Sequence, residues 1–150
     1  KKPMKRAEIL QRIIEEQNKV IQNLQESVDR YKSASDLDED DTADPDDYAR
    51  QTQAKDMQLR YEKMLAKEKN DLNFVLSEKE TSHTEIETGS VVETENHYFF
   101  IGVALPAFKM ENKEVFCVSP EAPIFGKLRG KKTGDTIEMG SNTFKITSIF

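Results

Sequence analysis

Asp36-Leu37-Asp38-Glu39-Asp40-Asp41-Thr42-Ala43-Asp44-Pro45-Asp46-Asp47 carries eight carboxylates and no cation in twelve residues. Like charges at that density repel, and a chain keeps them only where water or a cation screens them. The solvated tip of a helical hairpin meets that condition, and so does a metal site. The far end of the run reads as a helix start, with Asp44 as N-cap, Pro45 at the first helical position, and Asp46 and Asp47 facing the positive end of the helix dipole. Asp44, Asp46 and Asp47 therefore have a structural use. Asp36, Asp38, Glu39, Asp40 and Asp41 have none of that kind.

The run is flanked on both sides by apolar residues at alternating steps of four and three. Before it come Leu10, Ile14, Gln17, Ile21, Leu24, Val28 and Tyr31; after it come Ala54, Gln58, Tyr61, Leu65, Glu68, Leu72 and Val75. That spacing is a heptad seam, with Gln17, Gln58 and Glu68 as its polar members. Two seams of similar length joined by a short polar connection favour an antiparallel coiled-coil hairpin, in which each helix covers the stripe of the other. A first helix over 5–33 would reach about 43 Å and carry the connection far from its base. A homodimeric coiled coil is the alternative that uses the same seams.

The chain has 150 residues, 36% hydrophobic and 33% charged, which suits one modest core plus an extended charged element. Its formal net charge is -6, less than the run alone supplies, so the remaining residues are net positive and the acidity is local. The lone Cys117 forms no intrachain disulfide, and there is neither a secretory h-region nor an apolar run of membrane-spanning length. A cytosolic, soluble protein without membrane contact is the expectation. His83, His97 and Cys117 are too few soft ligands for a zinc finger. The opening Lys1-Lys2-Pro3-Met4 lacks an initiating Met, as expected of a chain that begins inside a longer one.

Between 77 and 89 small polar residues replace the seam, which places a boundary between a hairpin over 1–80 and a second domain over 81–150. Strands are expected at 91–92, 97–103, 114–118, 136–138 and 143–150, separated by turn signals at Glu95-Asn96, Glu111-Asn112-Lys113 and Gly140-Ser141-Asn142. Pro120, Pro123, Gly126 and Gly130 exclude a strand between the third and fourth of these, leaving a short helix over 124–128. The fold class is therefore α+β, the second domain being a small twisted antiparallel sheet. Phe99, Phe100, Phe108, Phe116, Phe125 and Phe144 are expected in its core rather than around a prolyl-isomerase pocket.

The stretch Ser119-Pro120-Glu121-Ala122-Pro123-Ile124-Phe125-Gly126-Lys127-Leu128-Arg129-Gly130-Lys131-Lys132-Thr133-Gly134-Asp135-Thr136-Ile137 resembles the signature of the GreA/GreB transcript-cleavage factors. Pro123 to Gly130-Lys131 fits without a gap, whereas Ser119-Pro120 stands three residues early. Tyr98 to Gly102 and the terminal strand also fit. The resemblance extends over nearly the whole chain, as an acidic-tipped coiled coil followed by an FKBP-like domain. It implies docking to bacterial RNA polymerase through Ser119, Pro120, Pro123, Lys127, Arg129, Gly130 and Lys131, and entry of the coiled coil into the secondary channel. It implies no cofactor of the protein's own and no small-molecule substrate. The tip acids would instead help hold an Mg²⁺ at the polymerase active site, which then cleaves backtracked nascent RNA.

In the family pattern Gly-Asp-Leu-x-Glu-Asn-Ala-Glu-Tyr, counting back from Tyr48 selects Asp41 and Asp44 as the acidic pair. The literal Asp-Leu-x-Glu match selects Asp36 and Glu39. The ungapped register is preferred, although Pro45 replaces the family's Asn. The tip also carries more acid than cleavage needs, a feature of Gre homologues that inhibit polymerase instead. Other readings stay open. Asp36, Asp38, Asp40, Thr42, Asp44 and Asp47 match the ligand spacing of an EF-hand loop, but the sixth position lacks Gly and Pro45 intrudes. The tip also fits a purely solubilising cap. Lys127, Arg129, Lys131 and Lys132, and on the second helix Arg50, Lys55, Arg60 and Lys63, could meet nucleic acid, though without interleaved aromatics.

Overall fold

The computed structural model describes residues 2–36 and 45–150. Two long helices, α1 (Lys2–Ser35) and α2 (Pro45–Ser77), precede β1 (Val91–Thr94), β2 (His97–Ile101), β3 (Leu105–Met110), β4 (Lys113–Val118), the short α3 (Pro123–Leu128), β5 (Thr136–Met139) and β6 (Asn142–Ile149). The class is α+β, and α2 begins at the proline where the sequence placed the first helical residue. Among the described residues no helix is long and apolar enough to cross a membrane. The chain divides into two compact units, 17–72 and 1–16 together with 73–150.

In the unit over 17–72 the seam positions are the inward ones. Gln17, Val28, Ala54, Gln58 and Leu65 are buried, and Ile21, Leu24, Tyr31, Tyr61, Glu68 and Leu72 are half-buried. Partners run in opposite order along the two helices: Gln17 meets Glu68, Tyr31 stacks on Tyr61 with centroids 5.5 Å apart, and Ser35 reaches Gln58. Gln17 is fully buried; its Nε2 donates to Glu68 Oε1 while its own Oε1 has no partner. Such a layer costs stability relative to an apolar pair, and it disfavours any alignment that leaves Gln17 facing Leu or Val.

The other unit is built on a sheet of order β3-β4-β2-β1-β6-β5. It is mixed, not wholly antiparallel as the sequence suggested, because β2 and β4 run parallel with Phe99 opposite Phe116. The reason lies in β3, a strand that sequence reading left out. β3 and β4 form a hairpin across Glu111 and Asn112, whose φ values of 52° and 70° suit a tight two-residue turn. β3 takes the sheet edge, so β4 returns between β3 and β2, in the direction of β2. Pro106 disguises β3 in the sequence, yet an edge strand tolerates a residue with no N–H to give to the ladder.

β1 is buried along its whole length and β2 at every position but His97. That is why Val91-Val92 and Tyr98-Phe99-Phe100-Ile101 read as continuous apolar runs rather than alternating ones. One face of the sheet directs Val92, Phe99, Ile101, Ile137 and Ile146 against Phe125 and Leu128 of α3. The other face lies under the first turns of α1 and the last turns of α2, with Phe74 6.4 Å from the Phe100 ring and Arg12 4.9 Å above Phe108. Ile9 and Ile13, which lie off the heptad seam, are buried as well, since this part of α1 needs a wider apolar stripe. Gly102 sits at φ +153°, where a Cβ would lie 2.4 Å from the Phe74 ring, so only glycine lets helix and strand approach so closely. Phe99, Phe100 and Phe125 are core residues as expected, whereas Phe108, Phe116 and Phe144 are half-buried.

Arg6 ties these parts together. Its side chain is 3% exposed. Nε donates to Thr81 O at 2.8 Å, Nη1 to Gly89 O and Phe150 O at 2.8 and 3.0 Å, and Nη2 to Glu78 O, Glu78 Oε1 and Thr81 Oγ1 at 3.2, 2.9 and 3.2 Å. Arg6→Met removes every one of these donors and leaves Glu78 with His83 alone as an ion-pair partner among the described residues, so urea unfolding should show a loss of about 3–5 kcal/mol. Arg6→Lys should lose less, keeping the charge but not the planar fork. A loss below about 1 kcal/mol in the Met variant would mean that the network contributes no more than an ordinary surface contact.

Candidate functional site

Two places carry the residues singled out by sequence. The first is the pair of helix ends flanking the acidic run. Asp36 is exposed and closes α1, its N–H bonded to Lys32 O at 3.0 Å. α2 opens with Asp46 and Asp47 in its first turn, and Arg50 Nη2 lies 2.6 Å from Asp47 Oδ1. Between the ends lies a groove of about 370 Å³ lined by Ser35, Asp36, Gln51, Thr52, Lys55 and Tyr48, the last 65% exposed. Asp41 and Asp44, the preferred acidic pair, lie outside the described residues. So do Glu39 of the alternative pair and Asp38, Asp40 and Thr42 of the EF-hand spacing. Among the described residues no group of three or more His, Cys, Asp or Glu side chains is arranged to hold a metal ion.

The second place is the loop around α3. Ala122 N–H bonds Ser119 O at 3.0 Å, turning the chain so that Pro123 enters α3 at its first position. Phe125 and Leu128 anchor the helix in the core, which directs Lys127 and Arg129 outward. Arg129 lies 5.3 Å above the Phe125 ring, and Lys127 Nζ donates to Glu138 O at 3.3 Å. Gly130, at φ +82°, then turns the chain with open space where a Cβ would stand. Lys127, Arg129, Gly130 and Lys131 thus come together around two troughs of about 530 and 500 Å³. Ser119, Pro120 and Pro123 line neither of them.

Sequence reading passed over the charged clusters that buttress the sheet unit. Burial would raise the Glu78 carboxyl, but hydrogen bonds from Thr81 and His83 and the charges of His83 and Arg6 outweigh it and hold the group below the ordinary carboxylate range. Glu93 is likewise held down against burial, by Lys113 Nζ at 2.6 Å and Lys5 Nζ at 3.3 Å. Both carboxylates meet partners far away in sequence, and nothing in their local spacing marks them. His97 packs against Phe99, Phe116 and Phe144, with its buried Nδ1 unpartnered. Burial, with the charge of Glu16 adding to it, pushes the Cys117 thiol up to about 12, so at neutral pH it holds its proton and is no nucleophile.

The chain matches no protein-family model and no curated protein. Its function is therefore argued from its own residues.

The two depressed carboxylates make stability depend on pH. A group whose folded pKa lies below its unfolded value contributes fully above that unfolded value, near 4.5 here, and the contribution is lost as pH falls through the folded one. The urea midpoint should therefore hold steady from neutral pH down to about 4.5 and then fall. Glu93→Gln should start lower at neutral pH and show a shallower acid limb. An acid limb identical to that of the wild type would remove Glu93 from this account.

Proposed function

We propose that this protein is a transcription elongation factor of the GreA/GreB kind, acting on bacterial RNA polymerase in the cytoplasm. In this reading α1 and α2 pair as an antiparallel coiled-coil hairpin, and the sheet unit is an FKBP-like domain that docks on the polymerase through the α3 loop. The hairpin enters the secondary channel and presents the acidic run to the active site. The observation that supports this most is that the run joins, along the chain, two helices whose facing residues run in opposite order, its described members Asp36, Asp46 and Asp47 lying at the ends of those helices.

The chemistry follows from the donors. Hydrolysis of a phosphodiester by two metals needs a second hard cation, and carboxylate oxygens hold hard cations. Asp41 and Asp44, or Asp36 and Glu39 in the other register, would supply oxygens to an Mg²⁺ that the polymerase already uses. The protein then has no complete active site of its own and raises the intrinsic nuclease activity of the polymerase on backtracked nascent RNA. The excess of acid over one pair favours a second reading, in which the tip occupies the channel and inhibits nucleotide addition without cleavage.

Capture of purified bacterial RNA polymerase by the tagged chain is the first test, and absence of binding would sink both readings. With backtracked elongation complexes, the wild type should shorten the transcript. Asp41→Ala with Asp44→Ala should abolish shortening while polymerase is still bound. Loss of activity only in Asp36→Ala with Glu39→Ala would move the pair to the other register, and slowed addition without shortening would select the inhibitor.

A further inference from the structure

The cations of the α3 loop are not isolated from the rest of the sheet unit. Lys127, Arg129, Lys131 and Lys132 are exposed, and pairing of β5 with β6 sets Thr136 opposite Lys145, bringing a fifth exposed cation beside the trough that Thr136 lines. Among the described residues none of the five lies within ion-pair distance of a carboxylate, and what sets them apart from other such cations, Arg60 and Lys63 of α2 for example, is their grouping around the two troughs. The two troughs share Arg129 and Lys131. Glu85 and Glu87 stand on the wall of the first and Glu138 on that of the second, with Glu87 engaged by His83. Positive charge is in excess in both.

The backbone that carries these cations is bonded into the fold. Arg129 N–H reaches Phe125 O at 2.8 Å, Lys131 N–H reaches Leu128 O at 3.0 Å, and Lys132 and Asp135 are bonded to each other across the turn. Gly134 N–H in turn bonds Ile146 O at 2.8 Å on β6. The charges are therefore presented on an ordered frame, and little backbone order has to be gained on binding.

We infer that this face binds the phosphodiester backbone of a nucleic-acid duplex, through Lys127, Arg129, Lys131, Lys132 and Lys145. Two features select that partner. Among the described residues the exposed large hydrophobic ones, Tyr48, Leu59, Met64 and Leu76, all lie on α2, so this face lacks the apolar anchor that centres a large protein interface, and duplex binding and the polymerase docking proposed above are alternative uses of the same cations. Single strands are gripped by stacking bases on exposed rings, and among the described residues the ring that one of these cations covers, Phe125 under Arg129, is buried. What remains is charge with threonine hydroxyls at the rims, Thr84 and Thr133 on one trough and Thr136 on the other, a set suited to phosphate oxygens and blind to base sequence. This binding does not depend on the polymerase reading and is measured without polymerase.

Fluorescence anisotropy of the full chain with a labelled DNA duplex tests it. Affinity should fall between about 50 and 200 mM salt, with a slope of log K on log salt of roughly -3 to -4, and be the same for unrelated sequences. Lys132→Ala should reduce that slope by about 1. The combined variant Lys127→Ala, Arg129→Ala, Lys131→Ala and Lys132→Ala should lose at least about tenfold in affinity, and Lys127→Arg should bind as the wild type does. The inference is overturned if the fourfold variant binds normally, or if Lys55→Ala with Arg60→Ala and Lys63→Ala on α2 removes binding instead. Tighter binding to single-stranded RNA than to the duplex, or displacement of the duplex by an equal charge of polyglutamate, would overturn it too.

Discussion

The Arg6 guanidinium is the contact on which the sheet unit most depends. A cation can be withdrawn from water only where its donors all find acceptors, and here the acceptors come from the end of α2, the connection after it, the entry to β1 and the last residue of the chain. Glu78 supplies the countercharge and is in turn held by Thr81 and His83. Segments distant in sequence are thus bound to one side chain in the first turns of α1. Loss of any one acceptor would leave part of a buried charge uncompensated, so the network acts as a unit rather than as separable bonds.

Polar burial has a different purpose in the helical unit. There Gln17 and Gln58 occupy seam positions that Leu would fill more favourably. Each has a partner on the facing helix, Glu68 and Ser35, and so each penalises a shifted alignment. The acidic run between the helices adds self-repulsion that only solvent or a cation relieves. Stability is given up at Gln17 and Gln58, and these residues point to a specific arrangement rather than to a stronger one.

The α3 loop shows how a core can serve a surface. Phe125 and Leu128 bury one side of a helix only six residues long, and Arg129 continues over the Phe125 ring. Apolar burial at two positions therefore sets the direction of cations on both sides of them. The same core residues that close the sheet also aim its charge, so a core truncation there would disturb the charged face as well as stability.

Much of this was legible in the sequence because it depends on local pattern. The heptad spacing marked the inward positions of both helices, Pro45 marked the start of α2, and Glu111-Asn112 marked the turn before β4. The grouping of Lys127, Arg129, Gly130 and Lys131 could also be read from their proximity along the chain. Tertiary structure alone decided the rest. Pro106 hides a strand that only the sheet edge makes tolerable, and that strand is what turns an expected antiparallel sheet into a mixed one. Arg6 and Glu93 carry no local signature, because their charged partners lie tens of residues away and are chosen by the packing of helix ends on the sheet, and Glu78, though Thr81 and His83 are close by, meets Arg6 only through the same packing. Lys145 joins the basic face through strand register. Periodicity and turn chemistry act over a few residues and survive in the linear sequence, whereas the satisfaction of a buried charge depends on which distant groups the fold brings within hydrogen-bond reach.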